Sequence, residues 1–513
     1  MTETTPRTAG RAFRGPAEAG SPRLDGLPGV QRTDGEGQRV LEVERFDTAD
    51  GRLAAAGITL AVHRAEGEQA HWRLDLPDAD RGEELRVPLA PDAPPVPDVP
   101  GELAELVRGV VRDGELRPVG RVRRVRASTR MLGEGDRPLG TVDHDHVTVA
   151  TLGSSTRGVA WTEVHLHDLA DAGLAAELER RLGEVGLHPA STSADAELDR
   201  LLRPEGPRRK RGGGKRAAPG TAGAALLDYL TAQVDRLAAE DLRTRRNEPD
   251  SVHQLRVAAR RLRSALQSYR PLLDRERTDP LVAALRDFAR ELAPARDAEV
   301  LHERISEGLA GLEPELLLGP VQAQVTRHFA RVEREATAAV LSALDGDAYA
   351  RLRRDLDELL ANPPLTKRAA RPARKELPGH VARAARRLAR AVEKAVDPAT
   401  PAEERDIAVH DARKAGKRLR YATEVATPAV GKPAKRFAKQ LKAFQDALGE
   451  HQDTVVAREA LRELAAQAHG EGENGFAFGV LYGRDAARAE AIEAQLAELW
   501  AEAWRPRNRR WLR

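Results

Sequence analysis

Val252-His253-Gln254-Leu255-Arg256-Val257-Ala258-Ala259-Arg260-Arg261-Leu262-Arg263 contains no Pro or Gly, and its Ala, Leu and Arg are good helix formers. At 3.6 residues per turn, His253, Arg256, Arg260 and Arg263 share one side of the helix. Leu255, Leu262 and Leu266 share roughly the opposite side. The spacing predicts an amphipathic helix whose polar face is basic, with no acid among those four positions. Such a face repels itself unless something anionic lies against it.

The pattern occurs again. Val409-His410-Asp411-Ala412-Arg413-Lys414-Ala415-Gly416-Lys417-Arg418-Leu419-Arg420 puts His410, Arg413, Lys417 and Arg420 at the same steps of three, four and three. Arg261 and Leu262 correspond to Arg418 and Leu419. A second mark follows each copy at a similar distance: Leu292-Ala293-Pro294-Ala295-Arg296-Asp297 and Leu448-Gly449-Glu450-His451-Gln452-Asp453. A duplicated pair of marks implies two similar helical halves related by internal pseudo-symmetry. A third face, His380, Arg383, Arg387 and Arg390, repeats the spacing, with Lys367, Arg368, Arg371, Arg374 and Lys375 just before it. His328, Arg331 and Arg334 offer a further extension.

The His-x-x-Arg helix, its repeat and the following Leu-x-x-x-x-Asp turn resemble the CHAD domain, the conserved histidine α-helical domain, from about Ala222 to the C-terminus. The resemblance implies two antiparallel four-helix bundles, a basic surface between and along them, and binding of inorganic polyphosphate. The residues expected to bind are His253, Arg256, Arg260, Arg261 and Arg263; His380, Arg383, Arg387 and Arg390; and His410, Arg413, Lys417, Arg418 and Arg420. A polyphosphate chain has no bases to read, so recognition needs a track of guanidinium and ammonium groups. The plainer reading of any single Arg is a solvated face or an ion pair. For His253 and His410 it is a bond to a backbone carbonyl, Asp297 or Asp453. Those two acids read as structural, capping a helix or orienting an Arg.

Composition sets the outer limits. The chain has 513 residues, enough for two or more domains, and a formal net charge of only +3, so basicity must be judged locally. It has no Cys, which excludes disulfides, thiolate metal sites and a Cys nucleophile. No apolar run of about 18 residues argues for a membrane span, and no apolar leader opens the chain. The expectation is a cytoplasmic protein, in association with polyphosphate granules, and with no membrane partner.

In chain order, residues 1–20 read as a disordered tail. Short strands are expected at Val40–Phe46, Ile58–Arg64, Trp72–Leu76, Leu85–Leu89, Val122–Val125, Thr141–Thr151 and Val159–Leu166, with helices at Gly101–Val111 and Leu169–Val185. This is an antiparallel α+β domain over residues 21–203. Residues 204–220, with Arg208-Arg209-Lys210-Arg211, read as a basic flexible linker. From 221 to 513 nearly everything is expected to be helix.

The order Phe46-Asp47-Thr48, Gly57-Ile58-Thr59-Leu60, Trp72-x-Leu74-x-Leu76-Pro77 and Glu84-Leu85-Arg86-Val87-Pro88-Leu89 resembles the CYTH domain, the triphosphate tunnel metalloenzyme fold. The resemblance implies an antiparallel β tunnel-barrel lined by metal-holding carboxylates and triphosphate-holding cations. Several expected positions are changed. Thr8-Ala9-Gly10-Arg11-Ala12-Phe13-Arg14 stands where a Glu-x-Glu-x-Lys strand belongs, and Ala61-Val62-His63 where arginines belong. Asp75 replaces a Lys, Thr141 a Glu, and Glu163-Val164-His165 a Glu-x-Glu pair, with His167 at the next Glu. Ser191-Thr192-Ser193-Ala194 replaces Ser-x-Ser-Lys. Arg64, Glu84, Arg86, Arg121, Arg123, Asp145 and Glu163 remain as the residual tunnel set. Two His-x-His pairs, His144/His146 and His165/His167, offer a replacement transition-metal site. The plainer reading is surface histidines or polar replacements in a vestigial tunnel.

The combined expectation is an α+β multidomain chain: a CYTH-like antiparallel domain, without hydrolytic activity, ahead of an all-α CHAD domain that binds polyphosphate. The alternative is a hydrolase of tri- or polyphosphate that requires Mg²⁺ or Mn²⁺ in its tunnel. Otherwise no cofactor is expected. Nucleic acid is the runner-up polyanion, disfavoured by the lack of interleaved aromatics.

Overall fold

The computed structural model describes residues 11–77, 83–90, 92–153, 156–203, 217–397 and 399–512. The chain divides into two compact units, Met1–Arg208 and Arg209–Arg513. The linker residues 204–216 and the tail residues 1–10 lie outside the described residues.

The first unit is built on one antiparallel sheet. Its strands are β1 (Arg11–Gly15), β2 (Arg32–Asp47), β3 (Thr59–Ala65), β4 (His71–Leu76), β5 (Glu83–Pro88), β6 (Arg117–Leu132), β7 (Pro138–Thr151), β8 (Gly158–His167) and β9 (His188–Pro189). Four helices accompany them: α1 (Arg52–Ala55), α2 (Gly101–Val111), α3 (Ala172–Glu184) and α4 (Ala194–Leu202). The strand order is β5-β4-β3-β2-β6-β7-β8-β1-β9. The expected tail is corrected here: Arg11–Gly15 is a strand paired with β8, Phe13 opposite Val164. Its apolar signal is a single buried side chain, Phe13, too little for periodicity to show.

Residues opposite one another in an antiparallel ladder share a face. One face carries Val43, His63, His71, Arg73, Arg124, Arg126, Asp145, Glu163 and His165. A cavity of about 500 Å³ is lined from this face by residues of both β4 and β1, which lie far apart in the strand order. The sheet is therefore curled, and this face is its interior. Helix α4 fills one end: Ala194, Leu198 and Leu201 pack on Val122, Val147, Val149 and Trp161. Gly120 permits that approach, because a Cβ there would stand 2.5 Å from a Leu198 methyl. Helix α3 covers the outside through Leu174, Leu178 and Leu182 against Phe13, Val142, Val164 and Leu166.

The second unit is helical: α5 (Ala222–Arg245), α6 (Ser251–Ser268), α7 (Arg275–Glu291), α8 (Ala293–Ala310), α9 (Val321–Asp345), α10 (Asp347–Ala361), α11 (Ala373–Val396), α12 (Ala402–Val430), α13 (Lys432–Gly470), α14 (Phe476–Ala503) and α15 (Pro506–Arg509). The two halves are α5–α10 and α11–α14. In the first half the Leu292–Asp297 mark is a break, with Pro294 in the first turn of α8. In the second, Leu448–Asp453 lies inside α13, an unbroken helix of 39 residues. The expected turn is corrected there: Gly449 and Glu450 lack the proline that interrupts the first copy.

The apolar cores do not follow the halves. The larger core pools Leu230 of α5, Leu262 of α6 and Leu285 of α7 with Leu388 of α11, Leu419 of α12 and Phe444 of α13. A smaller core joins Leu309 of α8 and Phe329 of α9 to Leu464 of α13 and Phe478 of α14, two helices from each half. Among the described residues, no helix is long and apolar enough to cross a membrane.

Candidate anion-binding site

Helices α6 and α12 bury Leu255, Ala258, Ala259 and Leu262, and Val409, Ala412 and Leu419. The 3.6-residue period then fixes where the cations go. Arg256, Arg260, Arg413 and Lys417 come together where the two helices face each other. Lys417 feels Arg413, Arg260 and Arg256 as near charges, and Arg413 feels Arg260.

Two acids serve these four cations. Arg256 donates to Asp297 (3.3 Å) and to the Ala293 carbonyl (3.0 Å). Arg413 donates to Asp453 (3.2 Å). The two pairs are pseudo-symmetric equivalents, so Asp297 and Asp453 orient an Arg each, and neither caps a helix. Among the described residues, Lys417 and Arg260 have no ion pair of their own. Burial, then the neighbouring cations, push the Lys417 ammonium down to about 7. Burial and like charge also lower Arg256 and Arg413.

The cationic track continues. Arg263 is lowered by burial and by Arg260, and Arg418 by burial, Arg387 and Arg263. This links α6 and α12 to the exposed row Arg383, Arg387 and Arg390 of α11. His253 and His410 are half-buried at the start of each basic face. Burial, then Arg296, lowers His253, while His410 is held by Gln452 rather than by Asp453.

Three expected residues are placed differently. His380 is 1% exposed and is not on the surface. Its Nε2 lies 3.1 Å from Glu376, its Nδ1 lies 2.7 Å from Arg383 and 3.2 Å from the Ser268 carbonyl, and its ring stacks on Tyr269 at 5.0 Å. It is a packing residue, so the match in spacing is a coincidence of helical period. Arg261 and Arg420 share Glu424, each at 3.2 Å, and the Tyr229 hydroxyl donates to the same carboxylate (2.8 Å). Arg261 thereby ties α6 to α12, while Arg420 makes an i,i+4 pair within α12. Arg368 and Arg371 bond Glu376. Arg331 pairs with Glu335, and His328 lies 3.1 Å from Gln467, so neither extends the track. His380→Ala is expected to cost about 1–3 kcal/mol of stability while leaving polyanion affinity within about twofold; chemical denaturation and a binding titration check both.

In the sheet unit, the ladder register corrects the residual tunnel set. Glu84, Arg86, Asp145 and Glu163 share the interior face, whereas Arg64, Arg121 and Arg123 point outside. Arg64 and Arg121 there flank the buried Glu44 at 3.7 and 2.8 Å. On β6 the cations of the interior face are instead Arg124, one residue beyond the expected Arg123, and Arg126. The His-x-His pairs also separate: His144 and His146 lie on the outer face, His165 and His167 on the inner. They cannot share an ion.

The interior carboxylates are already matched with cations. Arg126 donates to both oxygens of Asp145, at 2.8 Å each, and lies 3.1 Å from Asp143. Burial would raise Glu163, but His165 and the Trp161 indole, which donates at 2.7 Å, bring it below the usual range. Asp145, Glu163 and His165 have the spacing of metal ligands, but Arg126 occupies the cation's place. On β1 the interior positions are Ala12 and Arg14, and Arg14 lies over Trp161 at 3.7 Å. A divalent ion does not fit this set without displacing Arg126.

Residues 228–462 match the CHAD domain family. The uncharacterized protein MT2285 of Mycobacterium tuberculosis is 32% identical over 493 residues, 93% of this chain and 92% of that protein. The crystal structure of the CHAD domain from the plant Ricinus communis aligns with 58% of this chain and 97% of that one, at 23% identity and a TM-score of 0.45. The Hippeastrum protein HpAC1, described as having a dominant triphosphatase activity, aligns with 38% of this chain and 97% of that one, at 14% identity and a TM-score of 0.22. The chain belongs to the CHAD-domain family, with an antiparallel sheet domain ahead of its helical one.

Proposed function

We propose that this protein is a cytoplasmic binder of inorganic polyphosphate, resident on polyphosphate granules, and that its curled sheet does not hydrolyse triphosphate. One observation carries the reading. Arg256, Arg260, Arg413 and Lys417 crowd together with two acids between them, and burial and mutual repulsion force the ammonium of Lys417 toward neutrality. A polyanion laid across them relieves that repulsion and releases its counterions. Arg supplies forked donors to phosphate oxygens and Lys a point charge.

Nucleic acid is the weaker reading. Tyr421, the ring beside Arg261 and Arg420, is 4% exposed and offers no face to a base. Hydrolysis in the sheet unit would need Mg²⁺ or Mn²⁺. The guanidinium of Arg126 on Asp145 and the missing β1 carboxylates both weigh against it. The test is a titration of long-chain polyphosphate at two salt concentrations, with phosphate release followed in the presence of Mg²⁺. Salt-sensitive binding without release is expected; metal-dependent release would overturn the second half of the proposal.

Lys417 also gives the binding a pH dependence. Only its protonated form attracts phosphate, and its pKa in the free protein is about 7. A bound polyanion raises that pKa. Below pH 7 the lysine is already charged, so affinity is insensitive to this group. Above pH 7 binding must take up a proton, so affinity falls as pH rises, by up to about tenfold per unit. Lys417→Arg, charged throughout, is expected to flatten the profile between pH 7 and 9. A wild-type profile already flat there would refute this.

A further inference from the structure

Asp406, His451 and Glu493 converge from α12, α13 and α14, away from any role given above. His451 is 1% exposed, and its Nε2 lies 2.9 Å from Glu493 Oε1 and 3.6 Å from Asp406 Oδ1. One ligand atom of each residue lies within 4.8 Å of the others. We propose that these three side chains form a site for a single divalent first-row transition ion, Zn²⁺ or a similar ion that accepts imidazole and carboxylate.

The spacing suits an ion. Around one ion at bond lengths of about 2.0–2.2 Å, tetrahedral ligands stand roughly 3.4 Å apart and ligands at right angles about 2.9 Å. The two His451 distances bracket these values. Hydrogen-bond supply points the same way. A neutral imidazole has one N–H, so Nε2 can serve only one of the two carboxylate oxygens aimed at it. An ion at Nε2 serves both.

The neighbouring cations do not close the site. Arg405 approaches Glu493 at 3.7 Å and Arg458 approaches Asp406 at 3.9 Å, both beyond good hydrogen-bond length and both toward the far oxygens, Oε2 and Oδ2. Arg405 instead donates to the Thr400 carbonyl at 3.0 Å. Asp406 is 46% exposed, which leaves an entry path and room for a fourth ligand from solvent. Three helices supply the ligands, so each is held by the packing of a different element. The mixed set of one imidazole and two carboxylates suits Zn²⁺, Mn²⁺ or Fe²⁺ better than Mg²⁺ or Ca²⁺, which prefer oxygen alone.

The site belongs to one half only. In the aligned marks, His451 corresponds to Ala295 of the first half, which has no ligand atom there. The inference does not depend on polyphosphate binding, and its test contains none.

The experiment uses the full chain stripped of metal by chelation. Zn²⁺ is titrated by calorimetry, and Co²⁺ serves as a visible probe. One equivalent of Zn²⁺ and ligand-field absorption from Co²⁺ are expected. The isosteric double variant Asp406→Asn/Glu493→Gln should lose at least about tenfold in affinity and the Co²⁺ bands, while its metal-free thermal midpoint shows that it folds. Glu163→Gln, in the other unit, should change nothing. Absence of stoichiometric binding by the wild type, or binding unchanged in the folded double variant, would overturn the proposal.

Discussion

Replacing Arg256, Arg260, Arg413 and Lys417 together by Ala is expected to weaken long-chain polyphosphate binding by about 10³-fold at low salt. Each charge-assisted hydrogen bond contributes about 1.5–3 kcal/mol, but the cations of one track do not act additively, and Arg263, Arg418 and Arg387 remain. A net loss of about 4 kcal/mol is the conservative expectation, which is about 10³-fold. The dependence on salt should fall as well, by about 0.7 in the log–log slope for each phosphate that the variant leaves unneutralised. Stability should not suffer in proportion. The four cations repel each other in the free protein, and the acids left behind, Asp297 and Asp453, are 59% and 39% exposed. A variant that folds and binds as the wild type does would remove the track from the mechanism.

Replacing Arg126 by Ala should destabilise the sheet unit by about 3–5 kcal/mol. Its guanidinium is the counterion of Asp145 and Asp143, whose side chains are 0% and 3% exposed. Removing one partner of a buried pair leaves charge uncompensated, which is the strongly destabilising case. The thermal midpoint of that unit should fall by roughly 6–20 °C. The same variant separates two accounts of the interior. If Arg126 stands where an ion would otherwise sit, millimolar Mn²⁺ should restore part of the midpoint in the variant and leave the wild type unmoved. A variant as stable as the wild type would mean that Arg126 is dispensable.

The helical half of the fold was legible because its signal is periodic and repeated. His253 to Arg263 and His410 to Arg420 define a buried side and a basic side by arithmetic alone, and the structure brings those basic sides together. The same arithmetic misled at His380, because spacing does not tell which side of a helix meets a core. Only the packing of Tyr269 and Glu376 against the ring decides that. Glu424, which ties Arg261 of α6 to α12, carried no signal of that partner, since a single glutamate on a helix is usually solvated. In the sheet unit the strands were visible but their ends were not. β2 and β6 each run to 16 residues, well past the apolar alternation at their centres. A side chain's face inverts with each residue of register, so the family positions carried onto Arg121 and Arg123 fall on the outer face, and the interior cations of β6 are Arg124 and Arg126. β1 and α4 escaped for a related reason: each is short, and its meaning lies in its partner strand or in the end of the trough it fills.

The pooled cores of the helical unit have a further consequence. The repeat visible in the sequence divides the chain between α10 and α11, but the smaller core takes α8 and α9 from one side of that division and α13 and α14 from the other. Neither half owns a complete interior. At about 1.5 Å per residue, α13 alone runs roughly 58 Å, contributing Phe437 and Phe444 to one core and Leu461 and Leu464 to the other. The unit of duplication and the unit of cooperative folding are therefore different objects. Neither copy of the repeat can be cut out and remain a domain, although the sequence looks as if it could.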